Sequence, residues 1–197
     1  MTTSSPDVRR VLERLGPLPE PSPRPALVVL VGLPGVGKST FARRLAALAP
    51  VAVVGSDDVR KILFSHPHYT DGEHARVFSV AYATLAELLR QGVSAVFDAT
   101  NLRESARRKA YKIARDTDSH LVVVEVTAAP EVVRQRMAVR DNGADPQDRS
   151  DATWEVYQAM AETAEPLRRQ HYTVDTSGDT TEGLHAVAAE VQRACLG

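Results

Sequence analysis

Residues 32–40 of the chain have the spacing of a phosphate-binding loop. The stretch GLPGVGKST, which starts at Gly32, follows the pattern G-x-x-x-x-G-K-[ST] and stands between an apolar run and a helical pattern. Its glycines let backbone amides approach phosphate oxygens closely, Lys38 offers charge to the β and γ phosphates, and Ser39 offers a hydroxyl to Mg²⁺. The pattern predicts a site for ATP or another nucleoside triphosphate with Mg²⁺, formed by Gly32, Gly35, Val36, Gly37, Lys38, Ser39 and Thr40.

A second group of chemically useful residues follows the next apolar run, in GSDDVRK at residues 55–61. Ligands of open α/β sheets lie beyond the carboxyl ends of the strands, so these side chains are expected near the γ-phosphate. Asp57 or Asp58 could accept the proton of an attacking hydroxyl, and Arg60 could bind an anionic group of the acceptor. Alternatively, Ser56 or one of the aspartates merely caps the next helix.

The third apolar run ends in VFDATN, residues 96–101, and supplies one more acid. Asp98 occupies the position of a metal-associated carboxylate and is expected to serve Mg²⁺ together with Ser39. Thr100 or Asn101 is expected to cap the helix that follows. That helix is strongly basic and could be either a surface for a polyanion or an ordinary solvated face; its cations are Arg103, Arg107, Arg108, Lys109, Lys112 and Arg115.

Two arginines suggest a lid over the nucleotide. Arg136 and Arg140 stand one helical turn apart in PEVVRQRMAVR and are followed by a polar loop. Arginines that close over the β and γ oxygens stabilise phosphoryl transfer, and a helix-loop-helix lid delivers them while it excludes water. The predicted lid covers about residues 130–165, where Trp154, Tyr157 and Met160 are expected to pack the second lid helix against the domain.

Five short valine-rich runs must position these groups. They occupy residues 26–31, 51–54, 94–98, 120–126 and 172–176 and are apolar throughout rather than alternating. Strands of that kind are covered on both faces, which is typical of a parallel sheet. Because helical patterns separate the runs, the chain is predicted to be a layered α/β domain of residues 26–197.

Residues 1–25 differ from the rest of the chain. A short helix is predicted from about Asp7 to Leu15, and the prolines of PLPEPSPRP exclude regular structure after it. We interpret these residues as a lead-in arm with a proline-rich linker. A loose tail without function is the alternative.

The composition of the chain limits the classes of protein to which it can belong. The 197 residues suit one domain, and 25 acidic against 24 basic residues exclude a general polycation. With one cysteine, no long apolar run and no leader pattern, the chain is expected to be cytoplasmic and free of membranes. The histidines lack zinc-site spacing, so no structural metal is predicted. His66, His68 and Tyr69 either form a surface loop or line the acceptor pocket.

Taken in order, GLPGVGKSTFAR, SDDVRK, FDATNLRESARR and EVVRQRMAVR resemble a known kinase family. Over about residues 26–169 the chain is similar to the polynucleotide 5′-hydroxyl kinase domains of phage and bacterial end-healing enzymes. These belong to the AAA_33-type P-loop kinases, together with zeta-toxin-like and chloramphenicol-phosphotransferase-like proteins. The resemblance implies the three-layer sandwich of P-loop NTPases, a five-stranded parallel sheet of order 2-3-1-4-5 and a helical lid.

The resemblance also implies roles for individual residues. Asp57 would be the general base, Arg60 and Thr100 would lie at the acceptor's phosphate, and Asp98 would support them. Asn101 is grouped with these acceptor residues. Arg136 and Arg140 would be the lid arginines, and DTSG at residues 175–178 would place Thr176 near the adenine.

The function predicted from the sequence is ATP-dependent transfer of the γ-phosphate to a hydroxyl acceptor. The preferred acceptor is the 5′-hydroxyl end of a polynucleotide. A first alternative keeps the enzyme and changes its acceptor to a small molecule such as an antibiotic, sugar or nucleoside. A second alternative is a non-catalytic ATP-binding regulatory module.

Overall fold

The computed structural model describes residues 4–141 and 152–196. The longest described helix has 20 residues, and none of the described helices is both long and apolar enough to cross a membrane. The strands are β1 (Ala26–Val31), β2 (Ala52–Gly55), β3 (Ala95–Asp98), β4 (His120–Thr127) and β5 (Tyr172–Asp175). The helices are α1 (Pro6–Arg14), α2 (Lys38–Leu48), α3 (Ser56–Leu63), α4 (Asp71–Arg90), α5 (Glu104–Asp116), α6 (Pro130–Asp141), α7 (Trp154–Glu162) and α8 (Thr181–Leu196).

All five strands are parallel and lie in the order β2-β3-β1-β4-β5, which confirms the predicted sheet. The central strand β1 is buried along its whole length, as its continuous apolar sequence predicts. Gly55 at the end of β2 pairs with Asp98 at the end of β3. This register brings the acidic segments after the two strands to the same edge of the sheet as the loop after β1.

Helices cover both faces of the sheet and form two apolar cores. One core joins the sheet to α1, α3, α4 and α5, and the other joins it to α2, α6, α7 and α8. Tyr157 of α7 is buried in the second core and stacks on Trp154 at 4.7 Å between ring centroids. The result is the predicted three-layer sandwich, whose core side chains are removed from water on both sides of the sheet.

Two helix starts differ from the sequence predictions. SDDVRK is itself part of the helix α3, and the N-cap is Gly55 with no side-chain cap, so neither Ser56 nor an aspartate caps it. The N-cap of α5 is Arg103 rather than Thr100 or Asn101. A carboxylate from elsewhere in the chain completes the start of α5, because the Glu104 amide donates to Glu165 Oε2 at 2.6 Å.

The arm packs against the domain through α1. Val8 and Val11 are buried in the first core, so residues 6–14 are not a loose tail. Arg76 of α4 donates to Asp7 at 2.7 Å, and Arg10 donates to the Ile62 carbonyl at the end of α3, also at 2.7 Å. The arm thus supports the helix that carries Asp57 and Arg60, while the domain boundary at residue 26 stays a prediction.

Truncation of Val11 to alanine is expected to destabilise the whole domain. The side chain is 1% exposed, and removal of buried methyl groups costs about 2 kcal/mol of the free energy of unfolding. Urea denaturation followed by circular dichroism measures this cost, with Glu13→Ala on the exposed face of α1 as the control. Equal midpoints for the two variants would show that the contact of α1 with the core adds nothing to stability.

Candidate active site

The loop between β1 and α2 is built for close approach of a ligand to the backbone. A Cβ atom at Gly32 would lie 2.2 Å from the Val126 carbonyl oxygen, which no side chain permits. Gly37 caps α2 with a φ of 93°, a conformation that favours glycine. The amides at the start of α2 therefore remain available to an anion, where the helix dipole favours negative charge. Lys38 is 8% exposed and donates from Nζ to the Leu33 carbonyl at 2.7 Å, so its charge is held over the loop.

Asp98 and Ser39 lie in contact, while the metal site assigned to them stays a prediction. The Ser39 hydroxyl donates to the Asp98 carboxylate. Burial raises the pKa of Asp98, Asp58 adds to the rise, and Lys38 and Ser39 oppose it. One hydroxyl and one carboxylate fit Mg²⁺, which usually takes one or two protein ligands and fills its octahedron with water and substrate phosphates.

Asp57 stands in the first turn of α3 beside these groups. Burial, with a second contribution from the negative charge of Asp98, raises its pKa from 3.8 to about 6. Lys38, Arg60 and Lys61 lower the pKa and limit the rise. The residue nonetheless exposes much of its surface, so it is a carboxylate that solvent reaches although protein surrounds it. Those are suitable properties for a general base near neutral pH.

Asp58 shares the first turn of α3 with Asp57. Its Oδ2 lies 2.9 Å from the position of a Cβ at Gly55, so the carboxylate turns back toward the end of β2. It also acts on Asp98 by raising the pKa of that carboxyl. Both aspartates are therefore near Asp98, and the choice of Asp57 as the base stays a prediction.

Arg60 is a buried cation on the same helix. It is 6% exposed, and its Nε and Nη1 atoms are buried without a hydrogen-bond partner among the described residues. Glu73 Oε2 lies 3.7 Å from Nη1, and the Tyr69 ring lies 4.7 Å from Cζ. The sequence indicated Arg60, but it offered no sign of the glutamate and suggested Tyr69 only as one of several lining residues. Unsatisfied guanidinium donors favour an anion as ligand, because such donors are costly to leave unpaired.

The loop after β3 is tied to the start of the phosphate-binding loop. The Gly32 amide donates to the Thr100 carbonyl at 3.0 Å. Asn101 has a φ of 48°, is 2% exposed and donates from Nδ2 to the Leu30 carbonyl at 2.7 Å. Thr100 and Asn101 thus tie the loop after β3 to the end of β1 and the start of the phosphate-binding loop. A contact of either side chain with the acceptor stays a prediction.

Arg136 of α6 is bound at the edge of the phosphate-binding loop. Its guanidinium donates to Thr176 Oγ1 at 2.9 Å and to the Thr176 carbonyl at 2.6 Å. Thr176 Oγ1 in turn donates to the Val36 carbonyl at 2.6 Å. This chain of contacts joins α6, the phosphate-binding loop and the segment after β5. The side chain of Arg140 and the lid loop at residues 142–151 lie outside the described residues, so their predicted roles stay predictions.

The basic helix α5 is not a uniform charged surface. Arg107 is fully buried and donates to the carbonyls of Asn101, Leu102, Glu165 and Pro166 at 2.8–3.1 Å. From the sequence, Arg107 was predicted to belong to a polyanion surface or a solvated face, and both predictions are wrong. Its spacing from Ala110 and Ala114 could have revealed the error, because positions i, i+3 and i+7 share the buried stripe of a helix. The ion pairs of α5 with its own carboxylates join Arg107 and Arg108 to Glu104, and Lys112 and Arg115 to Asp116.

Sequence comparisons find a family that matches most of the chain and two similar proteins. The AAA_33 family, described as an AAA domain, matches residues 27–167. An uncharacterized protein of Mycobacterium tuberculosis is 32% identical over 164 residues, which are 77% of this chain and 32% of that protein. The L-seryl-tRNA(Sec) kinase of Methanococcus maripaludis is 27% identical over 115 residues, 56% of this chain and 44% of that enzyme. The chain therefore spans about a third of the length of its mycobacterial relative.

Solved structures share the fold. The Mycobacterium tuberculosis APS kinase in complex with AMPPNP and APS has a TM-score of 0.58 at 16% identity, over 89% of this chain and 99% of that one. A gluconokinase from Sinorhizobium meliloti has a TM-score of 0.59 at 21% identity, over 90% and 96%. The Pnkp1/Rnl/Hen1 complex matches with a TM-score of 0.52 at 25% identity, over 57% of this chain and 39% of that one.

Proposed function

Since the chain belongs to the AAA_33 family of P-loop kinases, we propose that it transfers the γ-phosphate of ATP to a hydroxyl whose carrier also bears an anionic group. The 5′-hydroxyl end of a polynucleotide is the acceptor that we prefer. Such an end carries a phosphate next to the nucleoside that presents the hydroxyl. The acceptor and its anionic group are parts of this proposal rather than properties of the family.

The observation that carries the proposal is the buried guanidinium of Arg60 beside Asp57. Arg60 lowers the pKa of Asp57, so its charge acts on the carboxylate that would receive the proton. Its Nε and Nη1 atoms are buried and have no hydrogen-bond partner within the part of the chain that the structure describes. A phosphate bound at Nε or at Nη1 would satisfy that donor and place the adjoining hydroxyl near Asp57.

The proposed reaction is a direct in-line transfer. ATP binds along residues 32–40, with Lys38 at its β and γ phosphates and Ser39 and Asp98 as the residues that would hold Mg²⁺. When bound, Mg²⁺ neutralises charge on the transferring phosphate. Asp57 accepts the proton of the acceptor hydroxyl, whose oxygen bonds to the γ-phosphorus as the bond to the β-γ bridging oxygen breaks. Arg136 and Arg140 would close the lid, and the products are ADP and a phosphate ester.

A small-molecule acceptor is the second candidate, and the ion pairs of α5 favour it. Arg107 is buried, and three further cations of that helix are already paired with Glu104 and Asp116. Fewer positive charges are then available to a nucleic-acid strand than the sequence suggests. A compact anionic metabolite with a hydroxyl would need only Arg60 and Asp57.

A transfer assay separates these candidates. The protein is incubated with γ-labelled ATP, Mg²⁺ and either 5′-hydroxyl DNA and RNA oligonucleotides or a panel of small molecules. Label on the oligonucleotides, absent for Lys38→Ala and for 5′-phosphorylated oligonucleotides, supports the preferred acceptor. Label only on small molecules supports the second candidate. ATP binding without transfer to any acceptor would support the alternative of a non-catalytic ATP-binding module.

Thymidine and thymidine 3′-monophosphate form a matched pair for the anionic group. Both present a 5′-hydroxyl, but only the second carries the phosphate that Arg60 would bind. We expect the KM for thymidine 3′-monophosphate to be lower than the KM for thymidine. The substitution Arg60→Gln should make the two KM values equal while the KM for ATP stays the same. Equal KM values for the two acceptors with the wild-type enzyme would overturn the anion-binding role of Arg60.

A further inference from the structure

A short segment that follows α3 contacts the guanidinium of Arg60. We name residues 64–73 the cover segment; it joins α3 to α4 and includes the first turn of α4. The Tyr69 ring, in a residue that is 52% exposed, lies over the guanidinium at 4.7 Å. Glu73 Oε2 lies 3.7 Å from Arg60 Nη1. The proposed anion-binding group is thus covered by one ring and faced by one carboxylate.

Glu73 also holds the cover segment in its closed conformation. Its carboxylate accepts hydrogen bonds from the amides of His68 at 2.9 Å and Tyr69 at 2.8 Å. Its own amide donates at 3.3 Å to the Oγ1 atom of Thr70, the residue that caps α4. Tyr69 has a φ of 57°, a strained conformation for a residue with a large side chain. The carboxylate that faces Arg60 is therefore the same group that fixes the strained turn above it.

We propose that Glu73 is a specificity-determining residue: it stands in for the acceptor's anion at Arg60, and only an anionic acceptor displaces it and moves Tyr69 aside. The inference rests on the proposed function, because it assigns the anion subsite to Arg60. Glu73 and Tyr69 then form a cover that selects acceptors by charge.

The geometry of the ion pair gives the selection a physical basis. At 3.7 Å, Glu73 attracts Arg60 by charge but makes no hydrogen bond to Nη1, and Nε is unsatisfied too. A phosphate that accepts from Nε or from Nη1, which face opposite edges of the guanidinium, gains a charge-assisted hydrogen bond that the carboxylate lacks. A neutral acceptor gains nothing at Arg60 and meets the closed cover. Selection of anionic over neutral acceptors thus comes from competition by Glu73 as well as from the favourable contact of the anion with Arg60.

Replacement of Glu73 by glutamine tests the inference. A glutamine side chain would keep an oxygen for the amides of the turn but lose the charge that competes for Arg60. The variant Glu73→Gln is compared with Thr70→Ala, a control that weakens the cap of α4 and leaves the charge in place. Calorimetry measures binding of thymidine 3′-monophosphate and of thymidine to each protein, and thermal unfolding confirms that both variants fold.

We expect Glu73→Gln to bind thymidine 3′-monophosphate roughly 3- to 10-fold more tightly than the wild type, since one partly buried competing charge is removed. Thymidine binding and ATP binding are expected to stay unchanged, and Thr70→Ala is expected to give no gain. If Glu73→Gln does not fold, Tyr69→Ala is used instead and is expected to bind the nucleotide more tightly because the cover is lost.

Unchanged or weaker nucleotide binding by Glu73→Gln would overturn the inference, and so would an equal gain by Thr70→Ala, which would indicate a loosened turn rather than a removed competitor. Failure of both the wild type and Glu73→Gln to bind the nucleotide would overturn it as well. The transfer assay with oligonucleotides decides the proposed function separately, since it requires phosphoryl transfer and does not depend on Glu73.

Discussion

Replacement of Asp57 by asparagine is expected to lower phosphoryl transfer by roughly 10²- to 10⁴-fold, the usual contribution of a general base. Asparagine keeps the size of the side chain but cannot accept the proton of the acceptor hydroxyl. ATP binding is expected to persist, because the phosphate-binding loop and Lys38 are unaltered. Single-turnover transfer from γ-labelled ATP measures the first effect, and displacement of a fluorescent ATP analogue measures the second.

Asp58→Asn is the matched control for Asp57→Asn. The two aspartates share the first turn of α3, and the change removes the same charge one residue away. Since Asp58 affects the pKa of Asp98, a modest loss of activity is expected in the control. An inactive Asp58→Asn together with an active Asp57→Asn would transfer the role of base to Asp58.

The pH profile gives a second test of the same residue. Because burial and Asp98 raise the pKa of Asp57 to about 6, the protonated and inactive form should prevail below that pH. We therefore expect kcat/KM to fall about tenfold per pH unit on the acid side of about pH 6 and to be level above it. Lys61 lowers this pKa, so Lys61→Gln should move the acid limb to higher pH. The assignment of Asp57 as the base would be contradicted if the acid limb of the kcat/KM profile lay near the ordinary pKa of an aspartate, about 3.9, and did not move in Lys61→Gln.

The sequence predicted the fold well because the signals that define it are local. Each continuous valine run became a strand with ends displaced by no more than one residue, since burial on both faces requires apolar side chains at every position. The start of α3 was misplaced because a serine followed by two aspartates is typical of a helix cap. The start of α5 was misplaced because Glu165, 61 residues away, completes it.

Site residues could be predicted from the sequence only where a short motif fixes both the residue type and its position. The phosphate-binding loop and Asp98 follow from short motifs next to strands, and the register of β2 with β3 brings their ends together. Glu73 and Tyr69 were not predictable as partners of Arg60, because a carboxylate at the start of a helix is ordinarily a cap. The sequence indicated six exposed cations in and next to α5, among them Arg107. In the structure Arg107 is buried and lies on the apolar stripe of that helix.

Replacement of Arg107 by methionine is expected to cost about 3–5 kcal/mol of the free energy of unfolding. The guanidinium is fully buried, and four carbonyls would lose charged donors that no water can replace easily. For a domain of this size the melting temperature should fall by about 10 °C. Calorimetric or fluorescence-detected unfolding measures the shift, with Arg108→Met, on the exposed side of the same helix, as the control.

Arg107→Lys separates the charge from the geometry. Lysine keeps a buried positive charge, but a single ammonium group cannot reach carbonyls on two chain segments as a planar guanidinium does. We therefore expect Arg107→Lys to be destabilised nearly as much as Arg107→Met. Since Arg107 joins residues 101–102 after β3 to residues 165–166 after α7, both variants should also loosen the loop that follows Asp98. Stability equal to that of Arg108→Met would mean that these two segments are held together by packing alone.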